Sequence, residues 1–158
     1  MRILFVCMGN ICRSPTAEGA MRRLLDEEGL ADRVHVESAG TGGWHVGEPP
    51  DERATLAARR RGIALTGAAL QVRPADFRSF DLLIAMDREN LRELLAIAPD
   101  DKAAEKVRLL REFDPAASGD LDVPDPYHGG DRGFETVLDL VEAACRGLLD
   151  ELRAADRV

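Results

Sequence analysis

The sequence predicts a single three-layer α/β domain over residues 1–158: a four-stranded parallel sheet flanked by helices on both faces. Three observations lead there. Short apolar runs rich in strand formers alternate with stretches whose apolar residues recur at helical spacing, the pattern of parallel strands joined by crossover helices. A chain of 158 residues supports one self-sufficient core without disulfides or metals. Hydrophobic residues are 45% and charged residues 32% of the chain, enough of each to bury a core and solvate a surface, which argues against disorder.

Arg2 to Cys7 is a short apolar run, as a strand covered on both faces requires. Met8 to Ser14 contains Gly9 and Asn10 and reads as a loop. Pro15 suits the first turn of a helix, with Ser14 as its N-cap. Ala17, Ala20, Met21, Leu24 and Leu25 share one face of that helix, and Gly29 ends it. Val34 to Ser38 alternates as a second strand. Gly40 to Pro50 is a Gly/Pro-rich loop carrying Trp44 and His45. Asp51 to Arg61 forms a second helix, closed by Gly62, and Leu65 to Val72 fits neither element type.

Asp76 to Ser79 makes a helical turn. Asp81 to Met86 is a third buried strand, and Asp87 caps a helix that buries Leu91, Leu94 and Leu95. Val107 to Leu110 is the fourth strand. Glu112 to Tyr127 is long and irregular, with three Pro and four Asp, and loops of that length are often functional. From about Gly133 to Ala154 runs the last helix, with Phe134, Val137, Leu138, Val141, Cys145, Leu148, Leu149 and Leu152 on one stripe; Cys145 therefore reads as core. Sites in parallel sheets form at the carboxyl ends of strands, which singles out Met8–Ser14 and Pro124–His128.

A net charge of −8 argues against a nucleic-acid partner or electrostatic membrane binding, since both surfaces are anionic. The longest apolar runs, Ile3–Met8 and Leu82–Met86, are far short of a membrane span, and the first is too short for a signal peptide. Three cysteines are an odd number and do not make a disulfide scaffold, so a cytoplasmic enzyme with reactive thiols is expected.

The chemistry concentrates in Cys7-Met8-Gly9-Asn10-Ile11-Cys12-Arg13-Ser14. A strand ends in a cysteine, a tight loop follows, and Arg and Ser open a helix. Backbone N–H groups of such a loop can cradle a tetrahedral anion, and the helix N-terminus adds donors and partial positive charge. Arg13 offers a planar fork for two phosphate oxygens. The same features favour the thiolate of Cys7, so one loop binds a phosphate and activates the nucleophile that attacks it. Rival readings fail on spacing. A nucleotide loop needs a Lys before its Ser/Thr, a dinucleotide fingerprint needs three spaced glycines, and zinc needs two more ligands than Cys7 and Cys12. The bland alternative is a pair of buried cysteines near a strand end. The single Trp and single Tyr, Trp44 and Tyr127, both lie in Gly/Pro-rich loops, where they can flank an aryl ring or pin their own loops.

With Val6 through Pro15 in the form V-C-x-G-N-I-C-R-S-P, the chain resembles the low-molecular-weight protein tyrosine phosphatases. The resemblance runs essentially end to end through Ser38-Ala39-Gly40-Thr41, Trp44, Met86-Asp87-x-x-Asn90 and Asp125-Pro126-Tyr127. It implies a metal-independent phosphomonoesterase without cofactor, inhibited by phosphate-like oxyanions, acting on phosphotyrosine-containing proteins, tyrosine kinases among the candidates. It implies Cys7 as nucleophile, Arg13 as phosphate ligand, and Asp125 as general acid and then base. Met8, Gly9, Asn10, Ile11, Cys12 and Ser14 would line or brace the phosphate loop, Ser14 by bonding the thiolate. Cys12 would regulate by trapping oxidised Cys7 as a disulfide; its alternative is a small buried filler. The chain departs from many members in having His128 for a second tyrosine, and neither His nor Arg in Thr66-Gly67-Ala68-Ala69-Leu70-Gln71. Two other activities share the scaffold. A protein-arginine phosphatase carries Thr at the position of Ile11, and an arsenate reductase needs a distal cysteine pair where only Cys145 remains. A non-catalytic phosphotyrosine reader should have lost Cys7 or Asp125.

Overall fold

In the computed structural model, which describes residues 1–158, the strand β1 (Arg2–Cys7) runs through the interior of a four-stranded sheet. Its neighbours are β2 (His35–Gly40) and β3 (Leu82–Ala85), and β4 (Val107–Leu109) closes the order β2-β1-β3-β4, every pair parallel. The alternation of β1 divides the core. Ile3, Phe5 and Cys7 face a larger cluster built on α1 (Arg13–Glu27), α2 (Glu52–Arg60) and α6 (Asp131–Ala154). Leu4 and Val6 face a smaller one with Phe77, Phe80, Leu83, Leu94 and Ala103, from α3 (Asp76–Ser79), α4 (Arg88–Ile97), α5 (Asp101–Ala104) and their flanks. Both faces of the sheet are thus covered, as the uninterrupted apolar runs require.

Several elements differ from the sequence reading for local reasons. The first helix opens at Arg13, with Cys12 before it and no side-chain cap, because the Ser14 hydroxyl is used elsewhere. The second strand runs on to Gly40, whose Cα side faces the Met8 carbonyl. Leu95 is exposed on α4, while Leu94 carries the burial and Leu91 half of it. A 3-10 helix, Leu110–Phe113, takes the last residue expected in the fourth strand. The four-residue α5 was too short to give a period, although Asp100 caps it by accepting the Ala103 N–H at 2.7 Å. Leu65–Val72 is irregular, apart from one bridge between Gly40 and Gln71. No helix is long and apolar enough to cross a membrane.

Arg61, just past α2, ties that helix to α6 through Glu135, Asp139 and Glu142 at 2.8, 2.9 and 2.8 Å. At the other end of α6 the packing is closer. A Cβ on Gly147 would sit 1.9 Å from the Phe113 carbonyl oxygen. Two effects then compete in Gly147→Ala. Helix propensity gains about 1 kcal/mol. Overpacking against a backbone that cannot swing aside costs roughly 1–3 kcal/mol, so the clash should win. Urea unfolding of Gly147→Ala should show a net loss of stability; a net gain would contradict this packing.

Candidate active site

The carboxyl ends of β1 and β3 meet the N-termini of α1 and α4, and the reactive side chains gather there. Cys7 is the last residue of β1 and 3% exposed. Its Sγ lies 2.9 Å from Ser14 Oγ. The Asn10 amide donates to Ser14 Oγ (2.9 Å) and to Ser38 Oγ (2.9 Å), and Ser38 Oγ donates to Glu18 Oε1 (2.6 Å). With Ser14 Oγ already accepting from Asn10, its own hydrogen is free for the sulfur, since the alternative acceptor, the Ala39 carbonyl, is 3.4 Å away. Burial raises the pKa of the Glu18 carboxyl, against the lowering effects of Ser38 and Arg22. Asn10 adopts φ 56°, a left-handed conformation that Asn tolerates, and its Oδ1 accepts the Leu70 N–H at 2.9 Å. Asn10 thus sits at a left-handed turn and bonds Ser14, Ser38 and Leu70 from behind the loop.

The loop engages four of its carbonyls with neighbouring groups and leaves its N–H groups free. Cys7 and Met8 carbonyls accept from Thr41 and Gly42 N–H (2.9 Å each), and the Ile11 carbonyl accepts from Asp51 N–H (2.8 Å). The Cys12 carbonyl accepts from the Thr16 hydroxyl at 2.7 Å. None of the N–H groups of Met8 to Cys12 has a backbone acceptor. Such a row of free donors at a helix start is an anion cradle. Gly40 makes it possible, because a Cβ there would lie 2.7 Å from the Met8 carbonyl oxygen.

Arg13 is 4% exposed. Its Nη1 donates to Asp87 Oδ2 (2.6 Å) and the Val123 carbonyl (3.0 Å), and Nη2 stands 3.8 Å from Asp125 Oδ2. A guanidinium has five donors, so the Nε and Nη2 edge keeps a fork for an oxyanion. Burial alone would lower its pKa, but Cys7, Asp87 and Asp125 raise it, so the charge is held. Asp87 also caps α4, accepting the Asn90 N–H at 2.7 Å. The sequence predicts only that cap; the second role follows from standing at the carboxyl end of the strand beside β1.

Cys7, Met8, Gly9, Ile11, Cys12, Arg13, Trp44, His45, Asp125, Tyr127 and His128 line one cavity of about 130 Å³. Asn10 and Ser14 stand behind the loop and brace it. Trp44 and Tyr127 are 66% and 38% exposed at the rim, with the His45 ring between them at 6.3 and 6.2 Å. His45 Nδ1 is paired with Glu48. A larger open recess lies by Met1, Arg22, Arg33 and His35, at the opposite ends of the strands. Its Arg22 and His35 are already paired with Glu18 and Glu37, and no nucleophile lines it.

Their surroundings hold the protons on the other two thiols. Cys12 is pushed up to about 12 by burial and by the charges of Asp51, Cys7 and Asp125. Cys145, on the core stripe, is pushed up to about 12 by burial and Glu142.

The model of the family described as Low molecular weight phosphotyrosine protein phosphatase matches residues 2–158. A Streptomyces coelicolor protein named Low molecular weight protein-tyrosine-phosphatase is 51% identical over 153 residues, covering 96% of this chain and 93% of that one. A crystal structure of a protein tyrosine phosphatase from Entamoeba histolytica superimposes with a TM-score of 0.94 at 36% identity, covering 99% of each chain. A Drosophila arginine phosphatase structure superimposes with a TM-score of 0.90 at 31% identity, covering 97% of this chain and 98% of that one.

Asp87→Asn keeps a capping side chain but leaves buried Arg13 short of a counter-charge. Urea unfolding should show a loss of about 2 kcal/mol, below the full cost of breaking a buried pair because Cys7 and Asp125 remain. Wild-type stability would contradict the pairing. The two raised thiols bind their protons more tightly folded than unfolded, so they destabilise the fold as pH climbs from 9.0 toward about 12. Stability should fall across that window, and native Cys12 and Cys145 should resist iodoacetamide at about pH 8. Ready alkylation of either would contradict their surroundings.

Proposed function

The chain belongs to the low molecular weight phosphotyrosine protein phosphatase family, and from that membership we propose that it hydrolyses phosphotyrosine in proteins through a cysteinyl-phosphate intermediate. The observation that carries the reading is one cavity that holds a buried cysteine, a row of free N–H groups, a guanidinium edge and a carboxyl group at its mouth.

In the first step Cys7 Sγ attacks phosphorus and the P–O bond to the aryl group breaks. Asp125 gives its proton to the leaving oxygen, which matters because the phenol has a pKa near 10. Arg13 and the loop N–H groups hold the equatorial oxygens as charge develops on them. In the second step Asp125 takes a proton from water, which attacks phosphorus, and the S–P bond breaks to return the Cys7 thiolate and phosphate. No metal is required in either step. The nucleophile lies at the floor of the cavity and the aromatic rim at its mouth, a depth that suits an aryl phosphate better than a short alkyl one. Phosphotyrosine-containing proteins, a tyrosine kinase among them, are the proposed partners, and free phosphate or vanadate the proposed inhibitors. A reducing cytoplasm suits a nucleophile that must remain a free thiol.

Cys12 is proposed as the protecting thiol. Its own proton is held partly by the charge of Cys7. Oxidation of Cys7 to a sulfenic acid by peroxide removes that charge, so Cys12 becomes easier to ionise when a partner for it forms. Its thiolate then attacks the Cys7 sulfur, the S–O bond breaks as the disulfide closes, and the departing hydroxide takes up the proton that Cys12 released to leave as water.

The likeness to an arginine phosphatase keeps phosphoarginine as a second reading. Ile11 in the loop favours tyrosine over it. A relay of the arsenate reductase kind lacks an accessible distal thiol, since Cys145 is 0% exposed.

With EDTA present, the protein should hydrolyse p-nitrophenyl phosphate and a phosphotyrosine peptide, and Cys7→Ser should abolish both. Faster release from a phosphoarginine peptide would move the substrate to the second reading, and no turnover by folded, reduced protein would overturn both. After mild peroxide, thiol should restore wild type more fully than Cys12→Ser; equal recovery would remove Cys12 from the protecting role.

A further inference from the structure

The loop that carries Asp125 has little of its own to hold it. From Val123, whose N–H donates to the Met86 carbonyl (2.8 Å), to the start of α6 there is no helix or strand. The bonds inside it are local turns: Tyr127 N–H to Asp125 Oδ1 (3.0 Å) and Gly129 N–H to the Pro126 carbonyl (3.0 Å). Arg13 reaches its first carbonyl, that of Val123 (3.0 Å), and beyond Asp125 one side chain from outside reaches its backbone. Arg53, the second residue of α2, donates from Nη2 to the Tyr127 carbonyl (2.8 Å) and from Nη1 to the Gly129 carbonyl (3.3 Å). Its guanidinium carbon also lies 4.8 Å from the Phe134 ring centroid and 5.8 Å from that of Tyr127.

Arg53 is itself fixed to the phosphate loop. Its Nη2 reaches Asp51 Oδ2 (3.3 Å), Asp51 Oδ1 accepts the Arg53 N–H (2.8 Å), and the Asp51 N–H donates to the Ile11 carbonyl (2.8 Å). The N-terminus of α2 thus fastens the nucleophile loop and the acid loop to each other. Arg53 does not line the cavity.

We infer that Arg53 is a positioning residue for Asp125: by forking onto the Tyr127 and Gly129 carbonyls it holds the Asp125 carboxyl at the leaving-group oxygen, at a set distance from the phosphate loop. The inference rests on the reading of Asp125 as general acid. The site demands arginine. Two carbonyls and an aromatic face need a planar fork, and a lysine ammonium satisfies them only as a point charge. A group misplaced by an ångström loses much of its catalytic effect, and the loss falls on substrates that need the proton.

The test compares kcat/KM for p-nitrophenyl phosphate, whose leaving group needs little protonation, with phenyl phosphate, whose phenol resembles tyrosine. Wild type, Arg53→Gln, Arg53→Lys, Asp125→Asn and the double variant Arg53→Gln/Asp125→Asn are measured together. Arg53→Gln should slow phenyl phosphate on the order of tenfold more than p-nitrophenyl phosphate, and this selectivity should vanish in the Asp125→Asn background. Arg53→Lys should keep the same selectivity in weaker form, which covers the case in which the Gln variant does not fold. Equal slowing of both substrates by the Arg53 variants, or selective slowing that persists without Asp125, would overturn the inference while leaving Asp125 in its role. Equal slowing of both by Asp125→Asn would overturn the general-acid reading and the inference with it.

Discussion

Arg13 carries its charge where water scarcely reaches, and much of the site follows from satisfying it. A buried guanidinium is tolerated only when counter-charges and acceptors surround it. Here they come from separate parts of the chain: Cys7 at the end of β1, Asp87 at the end of β3, the Val123 carbonyl and Asp125 in the long irregular segment. These groups converge because β1 and β3 are parallel neighbours, so their carboxyl ends open on the same side. A one-residue slip in that pairing would turn Cys7 to the wrong face and part Arg13 from Asp87. The fold and the charge balance are thus one constraint.

The same economy appears behind the loop. The amide of Asn10 serves Ser14 and Ser38, and Ser38 serves Glu18, so the orientation of the Ser14 hydroxyl on Cys7 is set by a chain of donors that ends at a largely buried carboxyl. With four loop carbonyls bonded to neighbouring groups, free N–H groups, a helix start and an arginine edge gather around Cys7. A chain of net charge −8 therefore holds a local site for an anion, and its overall charge says nothing of that site.

Much of this was legible in the residues. The apolar runs of β1 and β3 and the stripe of α6 announced their elements because burial on fixed faces leaves a period. The phosphate loop was legible because its chemistry needs contiguous residues. What was not legible depends on contacts between distant segments. Ser14 reads as an N-cap by position, yet its hydroxyl is claimed by Cys7. Asp87 reads as a cap and is one, but its second oxygen meets Arg13, 74 residues away in sequence. Leu95 has the spacing of a buried residue, but Leu94 supplies the contact. Arg53 shows no sequence signal beyond its charge, because its partners are carbonyls, which every residue possesses.

The proposed reaction passes through a covalent bond between phosphorus and Cys7. Rapid quenching of Asp125→Asn with a labelled aryl phosphate tests it most directly, since loss of the base should slow hydrolysis and let the intermediate accumulate. The expected result is a phosphoryl label on the peptide bearing Cys7 that survives an alkaline quench, retained in Cys12→Ser and absent in Cys7→Ser. Turnover with no trapped label, or a label that survives Cys7→Ser, would contradict it.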